Sequence, residues 1–235
     1  MKRLTEKLQK DGFCFLAAVE TRALLGNLPD WPTFEAGWND MPLDTYMADG
    51  GRYRRRRYAT MSVTSTGTHA KLEAPQPHYQ SLDYNNLNGG IARVFAPIRD
   101  EIVGGASMSA LLGFCINVFG SLLPAVGWHV EVHQFRIEAA RTQQGMPTPE
   151  GIHRDGVNYV MVLLVTRHNI AEGTTTIHDT GRRQLASFTL THPLDMTLVD
   201  DERCLHGVTA VIPIDSTRPA YRDVLVITFR AKPAI

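Results

Sequence analysis

Two histidines and one aspartate are the residues of this chain whose types and spacing are best suited to chemistry. His153 and Asp155 lie two positions apart in residues 151–156, so in an extended conformation both side chains point to the same face. His206 follows 53 residues after His153, in a short apolar stretch that could form an opposing strand. Two imidazoles and one carboxylate that cover one face of a metal are the ligand set of non-haem Fe(II) oxygenases. The pattern therefore predicts an iron site whose open face is left for a co-substrate and O2.

The same three residues also allow a structural interpretation. His153 and Asp155 could form a surface turn, and His206 could be a buried histidine of the core. An H-x-D spacing is common by itself. The downstream histidine, followed by a strand that begins at Arg222, favours the metal site.

Composition argues against several classes of partner. The chain has 235 residues, of which 43% are hydrophobic, and 24 Lys and Arg balance 24 Asp and Glu. This size predicts one domain with a sizeable core, and the neutral balance argues against nucleic acid or a membrane surface as partner. Cys14, Cys115 and Cys204 show neither zinc spacing nor a disulfide framework, which suits a reducing compartment. We expect a cytoplasmic protein, and the oligomeric state stays open, with a homodimer among the alternatives.

The stretch from Ile102 to Trp128 carries no charged residue and is long enough to raise the question of a transmembrane helix. Several glycines, a proline and an asparagine interrupt it. We therefore predict a buried helix inside a soluble domain, capped by Ser107 and ending near Leu122.

The most charged segment is Arg-Tyr-Arg-Arg-Arg-Arg-Tyr at residues 52–58. In a strand, Arg54 and Arg56 would share one face, and Arg55 and Arg57 the other. One interpretation is a solvated strand with acidic partners. The other is a strand that brings one or two guanidinium groups to the mouth of an active site, where they would bind a carboxylate.

From Trp128 onwards, short alternating or apolar segments dominate. Predicted strands cover residues 128–137, 159–166, 173–179, 185–191, 196–199, 207–214 and 222–230. This density of short strands predicts a β-sandwich or barrel. We expect a single domain, residues 1–235, in which a helix-rich part, residues 1–127, elaborates a β core formed by residues 128–235.

Several motifs resemble the bacterial 2-oxoglutarate/Fe(II)-dependent dioxygenases, in particular the branch of free L-isoleucine hydroxylases and related amino-acid dioxygenases. They are Pro147-Thr-Pro-Glu-Gly-Ile-His-Arg-Asp-Gly, Val132-His-Gln-Phe-Arg-Ile, Tyr79-Gln80 with residues 85–90, and the distal His206 with the strand from Arg222. The resemblance spans residues 53–230. It implies a mainly β protein with flanking helices (α+β), a double-stranded β-helix (jelly roll) with N-terminal helices packed on one sheet. It also implies a requirement for Fe(II), 2-oxoglutarate and O2.

The resemblance assigns the metal ligands and the reaction type. His153, Asp155 and His206 match the catalytic metal triad. Related halogenases have a small residue in place of the aspartate, so this chain is expected to hydroxylate or otherwise oxidise its substrate.

The same resemblance suggests how 2-oxoglutarate is bound. An arginine of the last strand usually pairs with its distal carboxylate, and Arg222, sixteen residues after His206, is the choice, although it could be a strand-edge charge. Arg230 lies on the same strand face and is a second candidate, with a solvent-facing or structural role as its alternative. Tyr159 or Thr176 could donate a hydrogen bond to the co-substrate.

The resemblance also implies a small-molecule substrate, such as a free amino acid. Other polar residues are candidates to bind it. Its carboxylate would need an arginine and its ammonium an acidic partner, for which Arg54, Arg136 and Glu131 are unranked candidates. His133 could face the same cavity or be a core histidine. The expected reaction is hydroxylation of an sp3 carbon.

Two other functions remain as alternatives. A sensor or regulatory protein could bind a metal or ligand on the same fold, although the complete triad and Arg222 count against it. A zinc hydrolase could also use two histidines and one aspartate, but the sequence shows no general base or nucleophile beside them. Formation of succinate would distinguish the dioxygenase from both.

Overall fold

Seven strands form the main sheet in the computed structural model, which describes residues 1–232 of the chain. The helices are α1 (Lys2–Asp11), α2 (Ala18–Leu25), α3 (Trp31–Ala36), α4 (Asp100–Val103) and α5 (Ala106–Leu122). The strands are β1 (Phe13–Leu16), β2 (Arg54–Val63), β3 (Lys71–Leu72), β4 (Trp128–Ala139), β5 (Tyr159–His168), β6 (Ile170–Glu172), β7 (Thr174–Asp179), β8 (Gln184–Thr189), β9 (Met196–Asp200), β10 (Cys204–Val208), β11 (Val211–Pro213) and β12 (Ala220–Ala231).

The strands pair into a large sheet and a smaller one that faces it. The main sheet has the order β1-β9-β5-β12-β4-β2-β3, the second sheet β10-β7-β8, and β11 pairs with β6 alone. The pairs between strands are antiparallel. Val160 and Val199 of the main sheet share a buried cluster with Ile177 and Cys204 of the second sheet. The two sheets therefore enclose a common interior, as a jelly roll requires.

Alternation along the strands explains how the main sheet separates two environments. On β4, Val130 and Val132 are fully buried in the core cluster that includes the helices, while Glu131 and His133 point to the other face and line a cavity. Strand β12 behaves in the same way, because Ile227 packs against the helices. One face of the sheet is therefore mainly hydrophobic, and the other presents most of the polar and charged groups of the cavity.

Helix α5 is the uncharged segment that the sequence identified, and it is buried against the main sheet. Its N-cap is Gly105 rather than the predicted Ser107, which lies inside the first turn. The Asp30 carboxylate accepts hydrogen bonds from the backbone N–H of Ser107 at 2.9 Å and from its hydroxyl at 2.6 Å. The cap thus comes from a residue distant in sequence. Within residues 1–232, no helix combines the length and apolar character needed to cross a membrane.

The boundary at residue 127 does not divide the main sheet. Strands β1, β2 and β3 precede it, yet all three belong to that sheet. Strand β2, which begins at Arg54 of the arginine-rich segment, pairs with β4 over its full length. The predicted strand at residues 207–214 is instead two strands, since β10 pairs with β7 and β11 with β6.

Removing a core side chain of α5 should destabilise the protein strongly. Leu111 is fully buried, so Leu111→Ala should lower the free energy of unfolding by about 2–5 kcal/mol. Leu185 on β8 is 40% exposed, and Leu185→Ala should cost about 1 kcal/mol or less. Urea unfolding followed by circular dichroism measures both. Equal losses in the two variants would contradict the placement of α5 in the core.

Candidate active site

A cavity of about 260 Å3 lies between the two sheets. Strands β2, β4, β5 and β12 contribute one wall, and residues 78–93, residues 147–157 and β10 contribute the others. The volume lies just below the roughly 300–1,000 Å3 usual for small-molecule sites. The cavity is lined by five arginines and three carboxylates (Arg54, Arg56, Arg93, Arg222, Arg230, Glu131, Glu150 and Asp155).

His153, Asp155 and His206 come together at this cavity. His153 forms an isolated antiparallel bridge with His206 of β10, in which each residue donates its backbone N–H to the carbonyl of the other, at 3.0 and 2.9 Å. The Nε2 atom of His153 lies 3.7 Å from Oδ1 of Asp155, and Nε2 of His206 lies 3.6 Å from Oδ2. One ligand atom from each residue falls within 4.8 Å of the other two. This separation suits three ligands of one metal ion.

The protonation states of the triad suit a divalent cation. Nδ1 of His153 is 2.9 Å from the Gly151 carbonyl, so Nδ1 carries the proton of that hydrogen bond and Nε2 can face the metal. Burial and the neighbouring His153 lower the pKa of His206 to about 4. Burial alone would raise the pKa of Asp155, but a hydrogen bond from His153 and the charge of His206 hold it well below its ordinary value. Burial opposes protonation of His153, yet Asp155 raises its pKa to about 9. A metal cation would take the place of that proton.

Asp201 holds the backbone that carries Asp155. Its carboxylate accepts three hydrogen bonds, from the N–H groups of Asp155 at 2.9 Å, Gly156 at 2.8 Å and Val157 at 3.1 Å. Gly156 has a φ of +78°, and a Cβ there would lie 2.5 Å from the ring of Tyr84. A glycine is therefore needed for the turn that brings these N–H groups onto one carboxylate.

A chain of amide side chains supports Asp155 from the other side. Nε2 of Gln80 donates to the backbone carbonyl of Asp155 at 3.2 Å, and Nδ2 of Asn85 donates to Oε1 of Gln80 at 3.1 Å. Oδ1 of Asn85 then accepts the N–H of Asn88 at 2.7 Å, and Oδ1 of Asn88 accepts the N–H of Ala48 at 2.9 Å. The motif formed by Tyr79-Gln80 and residues 85–90 thus lies in loops and turns and also restrains the aspartate of the triad.

Arg222 presents an unpaired guanidinium group to the cavity. It is 2% exposed, and its Nε and Nη2 atoms have no hydrogen-bond partner among residues 1–232. Burial, together with the nearby Arg167, lowers its pKa to about 10. A buried cation without a counter-charge is costly, so this position is suited to an anionic ligand.

The Glu131 carboxylate contacts a cluster of one tyrosine and several histidine side chains. Its Oε1 accepts the hydroxyl of Tyr58 at 2.7 Å, and its Oε2 lies 3.1 Å from Nδ1 of His78 and 3.6 Å from Nε2 of His133. Burial alone would raise the pKa of Glu131, but hydrogen bonds from His129, His133 and His78 hold it well below its ordinary value. The cluster also has metal-binding spacing, yet Arg56 lies 2.7 Å from Nδ1 of His133. That positive charge disfavours a second metal ion.

Two side chains of the arginine-rich strand, Arg54 and Arg56, point into the cavity rather than into solvent. Arg54 is buried and bonded to Asp44 through Nε at 2.8 Å. The Cζ atom of Arg56 lies 4.0 Å from the ring centre of Phe95 and 4.7 Å from that of Phe135. Their alternation in β2 therefore places two arginines in the cavity wall.

Not every predicted site residue reaches the cavity. The predicted residues that line it are Glu131, His133, Arg54, Arg222 and Arg230. Of these, Arg230 lies at the exposed rim.

Three predictions require correction. Arg136 points to the opposite face of β4 and forms two 2.7 Å bonds with Asp223, so it is not placed to bind substrate. Tyr159 stacks on Phe119 among the helices, at 4.8 Å between ring centres. Thr176 is also absent from the cavity wall and pairs with Gly207 in the second sheet. Tyr159 and Thr176 are therefore not placed to bind 2-oxoglutarate.

Sequence reasoning missed Asp201, His78, Arg93 and Glu150. Asp201 lies five residues before His206, in a run of charged residues that gave no hint of backbone capping. His78 and Arg93 lie in a long segment without regular structure, where periodicity carries no information. Glu150 falls within the quoted motif Pro147-Thr-Pro-Glu-Gly-Ile-His, which was the one available signal.

The chain belongs to the 2OG-Fe dioxygenase family, whose sequence profile matches residues 35–228. Membership makes it a non-haem Fe(II)- and 2-oxoglutarate-dependent dioxygenase and confirms the predicted need for Fe(II), 2-oxoglutarate and O2. The residues present fit such a centre, because the triad and the unpaired Arg222 face the same cavity.

Two characterised enzymes are similar in sequence. L-isoleucine-4-hydroxylase from Bacillus thuringiensis is 26% identical over 200 residues, which cover 81% of each chain. The 3(1)-hydroxy-L-isoleucine 4-dioxygenase of Pantoea ananatis (strain AJ13355) is 23% identical over 206 residues, covering 86% of this chain and 82% of that enzyme. The predicted resemblance to the isoleucine hydroxylase branch is confirmed.

Solved structures confirm the predicted double-stranded β-helix. A bsmA homolog from Methylobium petroleophilum PM1 is 34% identical, with a TM-score of 0.89 over 99% of this chain and 95% of its own. IDO from Bacillus thuringiensis has a TM-score of 0.81 over 98% of this chain and 99% of its own. At 18% identity, the second likeness concerns the fold alone.

The buried His78 should make stability depend on pH. Burial and the charge of Arg56 lower its pKa from the ordinary 6.5 to about 3. Between these values the unfolded chain binds a proton that the folded protein does not, so the free energy of unfolding falls as the pH falls below 6.5. For this group alone, the loss at pH 5.5 should be about 1.4 kcal/mol.

The comparison of His78→Asn with wild type isolates this contribution. Urea unfolding at pH 7.5 and 5.5 should show a smaller pH-dependent loss in the variant, by roughly 1 kcal/mol. His192→Asn, at an exposed histidine, should keep the wild-type dependence. An unchanged pH dependence in His78→Asn would show that His78 is not the responsible group.

Proposed function

We propose that this dioxygenase hydroxylates an sp3 carbon of a free L-amino acid, with Fe(II) held by His153, Asp155 and His206 and the distal carboxylate of 2-oxoglutarate held by Arg222. The observation that carries the proposal is the convergence of the triad and an unpaired, buried guanidinium on one small cavity. A neutral ligand would leave Arg222 without a counter-charge, whereas a dicarboxylate can bind the metal at one end and the arginine at the other.

Each group of residues has a separate task in this reaction. When bound, Fe(II) with 2-oxoglutarate and O2 supplies the oxidation, which yields succinate, CO2 and a hydroxylated product. Asp201 and Gln80 keep Asp155 in place, and Arg222 orients the co-substrate. The cavity wall confines the substrate, so that its reacting carbon can be held in one position relative to the metal.

The amino-acid substrate is supported by three observations. The two characterised relatives are named for reactions of L-isoleucine or its hydroxylated derivative. The cavity is small and combines apolar side chains such as Phe135, Val162 and Val226 with charged ones. A zwitterion with an aliphatic side chain is complementary to such a wall.

The iron and co-substrate sites can be tested by anaerobic titration of Fe(II) and 2-oxoglutarate, using the weak visible charge-transfer absorption of the chelate. His153→Ala should abolish the band. Arg222→Met should raise the dissociation constant of 2-oxoglutarate at least about tenfold, because a charge-assisted pair is lost. Arg230→Met should change it little.

A wild-type protein without the band would refute the assignment of the metal site. A large effect in Arg230→Met with none in Arg222→Met would move the carboxylate site to the cavity rim. A panel of free L-amino acids assayed for succinate then tests the substrate class, and the absence of stimulation by every amino acid would reject it.

Asp201 should matter for metal affinity because it positions Asp155. Asp201→Ala is expected to weaken Fe(II) binding by about 10- to 100-fold, the range usual for groups that orient a metal ligand. Asp195 offers a matched control, since its buried carboxylate also accepts three backbone N–H groups, from Ala18, Thr191 and His192, in a turn away from the cavity. Asp195→Ala should lower stability and leave Fe(II) affinity unchanged. Equal Fe(II) affinities in the two variants would contradict the role of Asp201.

A further inference from the structure

We infer that Arg93 and Glu150 bind the head group of the substrate: the guanidinium of Arg93 takes the α-carboxylate and the carboxylate of Glu150 takes the α-ammonium group. This inference rests on the proposed function and deepens it, because it identifies the residues that select an α-amino acid. Neither residue belongs to the metal triad or to the proposed 2-oxoglutarate site.

Arg93 is a buried cation with free donors. It is 1% exposed and lines the cavity, and its Nε and Nη2 atoms have no hydrogen-bond partner among residues 1–232. Its backbone is fixed by two hydrogen bonds to His78, at 2.8 and 2.9 Å. The guanidinium group is therefore held in the cavity without its hydration shell, which is unfavourable. An anionic ligand would offset this loss of hydration.

The carboxylates of the protein do not provide this anion. No carboxylate oxygen lies within 4.0 Å of Arg93 in the part of the chain that the structure describes. Asp44 is occupied by Arg54, and Glu131 accepts hydrogen bonds from Tyr58 and His78. An external carboxylate is thus the missing partner.

The other arginines of the cavity are less suited to this task. Arg54 is neutralised by Asp44, and Arg56 is held by His133 and by the faces of Phe95 and Phe135. Arg222 enters from β12 and is the proposed site for 2-oxoglutarate. Arg93 enters from the segment between β3 and α4, so the two unpaired guanidinium groups belong to different walls of the cavity.

Glu150 places a second charge beside the metal triad. Its side chain is 9% exposed, and its Oε1 lies 3.4 Å from Nε2 of His153. Its Oε2 is buried and has no hydrogen-bond partner among residues 1–232. An ammonium group has three donors and could satisfy this oxygen. Held there, the head group is fixed relative to the triad residue His153.

The pair predicts a specific pattern of substrate discrimination. An α-amino acid would satisfy both residues, an amino-acid methyl ester only Glu150, and the corresponding des-amino carboxylic acid only Arg93. Because leaving one buried charge unpaired is costly, wild type should bind either analogue at least about thirtyfold more weakly than the amino acid.

The test measures binding without turnover. An L-amino acid that stimulates succinate formation is titrated anaerobically into the Fe(II)–2-oxoglutarate complex, and the change in its charge-transfer band gives a dissociation constant. The methyl ester and the des-amino acid are titrated in the same way. The variants are Arg93→Met, Glu150→Gln and, as a matched control, Arg57→Met, which lies on the other face of β2 and not in the cavity wall.

Arg93→Met should weaken the amino acid at least about thirtyfold and the ester less than about threefold. Glu150→Gln should weaken the amino acid and leave the des-amino acid nearly unchanged. Both variants should still form the charge-transfer band, Arg93→Met should keep the wild-type affinity for 2-oxoglutarate, and Arg57→Met should behave as wild type. Should Arg93→Met fail to fold, Arg93→Lys keeps the charge but loses the planar fork, and it should still weaken the amino acid by about tenfold.

Three results would overturn the inference. Amino-acid affinity could stay within threefold of wild type in both variants. Arg93→Met could weaken 2-oxoglutarate instead, or Glu150→Gln could abolish the charge-transfer band, which would place these residues at the co-substrate or the metal. Failure of the proposed function is distinguishable, because wild type itself would then show neither a band change nor succinate formation with any amino acid.

Discussion

The backbone pairing of His153 with His206 is the contact on which the metal site depends. Two backbone hydrogen bonds join segments that are 53 residues apart and bring both histidines to one side of the cavity. Asp155, two residues along the same segment, is then held by Asp201 from one side and Gln80 from the other. The geometry of the three candidate ligands is therefore set by backbone hydrogen bonds, whose strength does not require the metal to be present.

A second constraint is the burial of charge between two sheets. The face of the main sheet that meets the helices is hydrophobic and supplies the stability of the domain. Its other face carries arginines, histidines and Glu131. Many of these groups have partners within the protein: Arg54 forms an ion pair with Asp44, and Glu131 accepts hydrogen bonds from Tyr58 and His78. The unpaired ones are informative, because a folded protein tolerates few buried charges without partners.

Much of the fold and the triad could be predicted from the sequence, and the reasons are physical. Strands such as β4 and β12 are recognisable in the sequence from alternating or continuous apolar residues. The H-x-D spacing with a distal histidine limits the possible sites to a small set of metal centres. Alternation already places Arg136 on the face of β4 opposite Glu131, five residues before it, so the sequence argued against a site shared by both. Tyr159 begins an almost continuously apolar strand, whose pattern does not show which face a residue occupies. Arg93 and Asp201 depend on long-range contacts of irregular segments, which leave no periodic signal.

Arg222 and Arg93, the two arginines assigned to ligands, explain how one cavity can bind the carboxylates of 2-oxoglutarate and of an amino acid at separate positions. A site with a single arginine would let 2-oxoglutarate and an amino acid compete for the same charge. Here Arg222 and Arg93 come from separate walls. Glu150, whose Oε2 has no hydrogen-bond partner among residues 1–232, lines the same cavity and is assigned with Arg93 to the head group. In the proposed assignment, a zwitterion is therefore favoured beside Arg93. The second carboxylate of 2-oxoglutarate would meet the negative charge of Glu150 there, and such like-charge contacts are an effective means of excluding the wrong ligand.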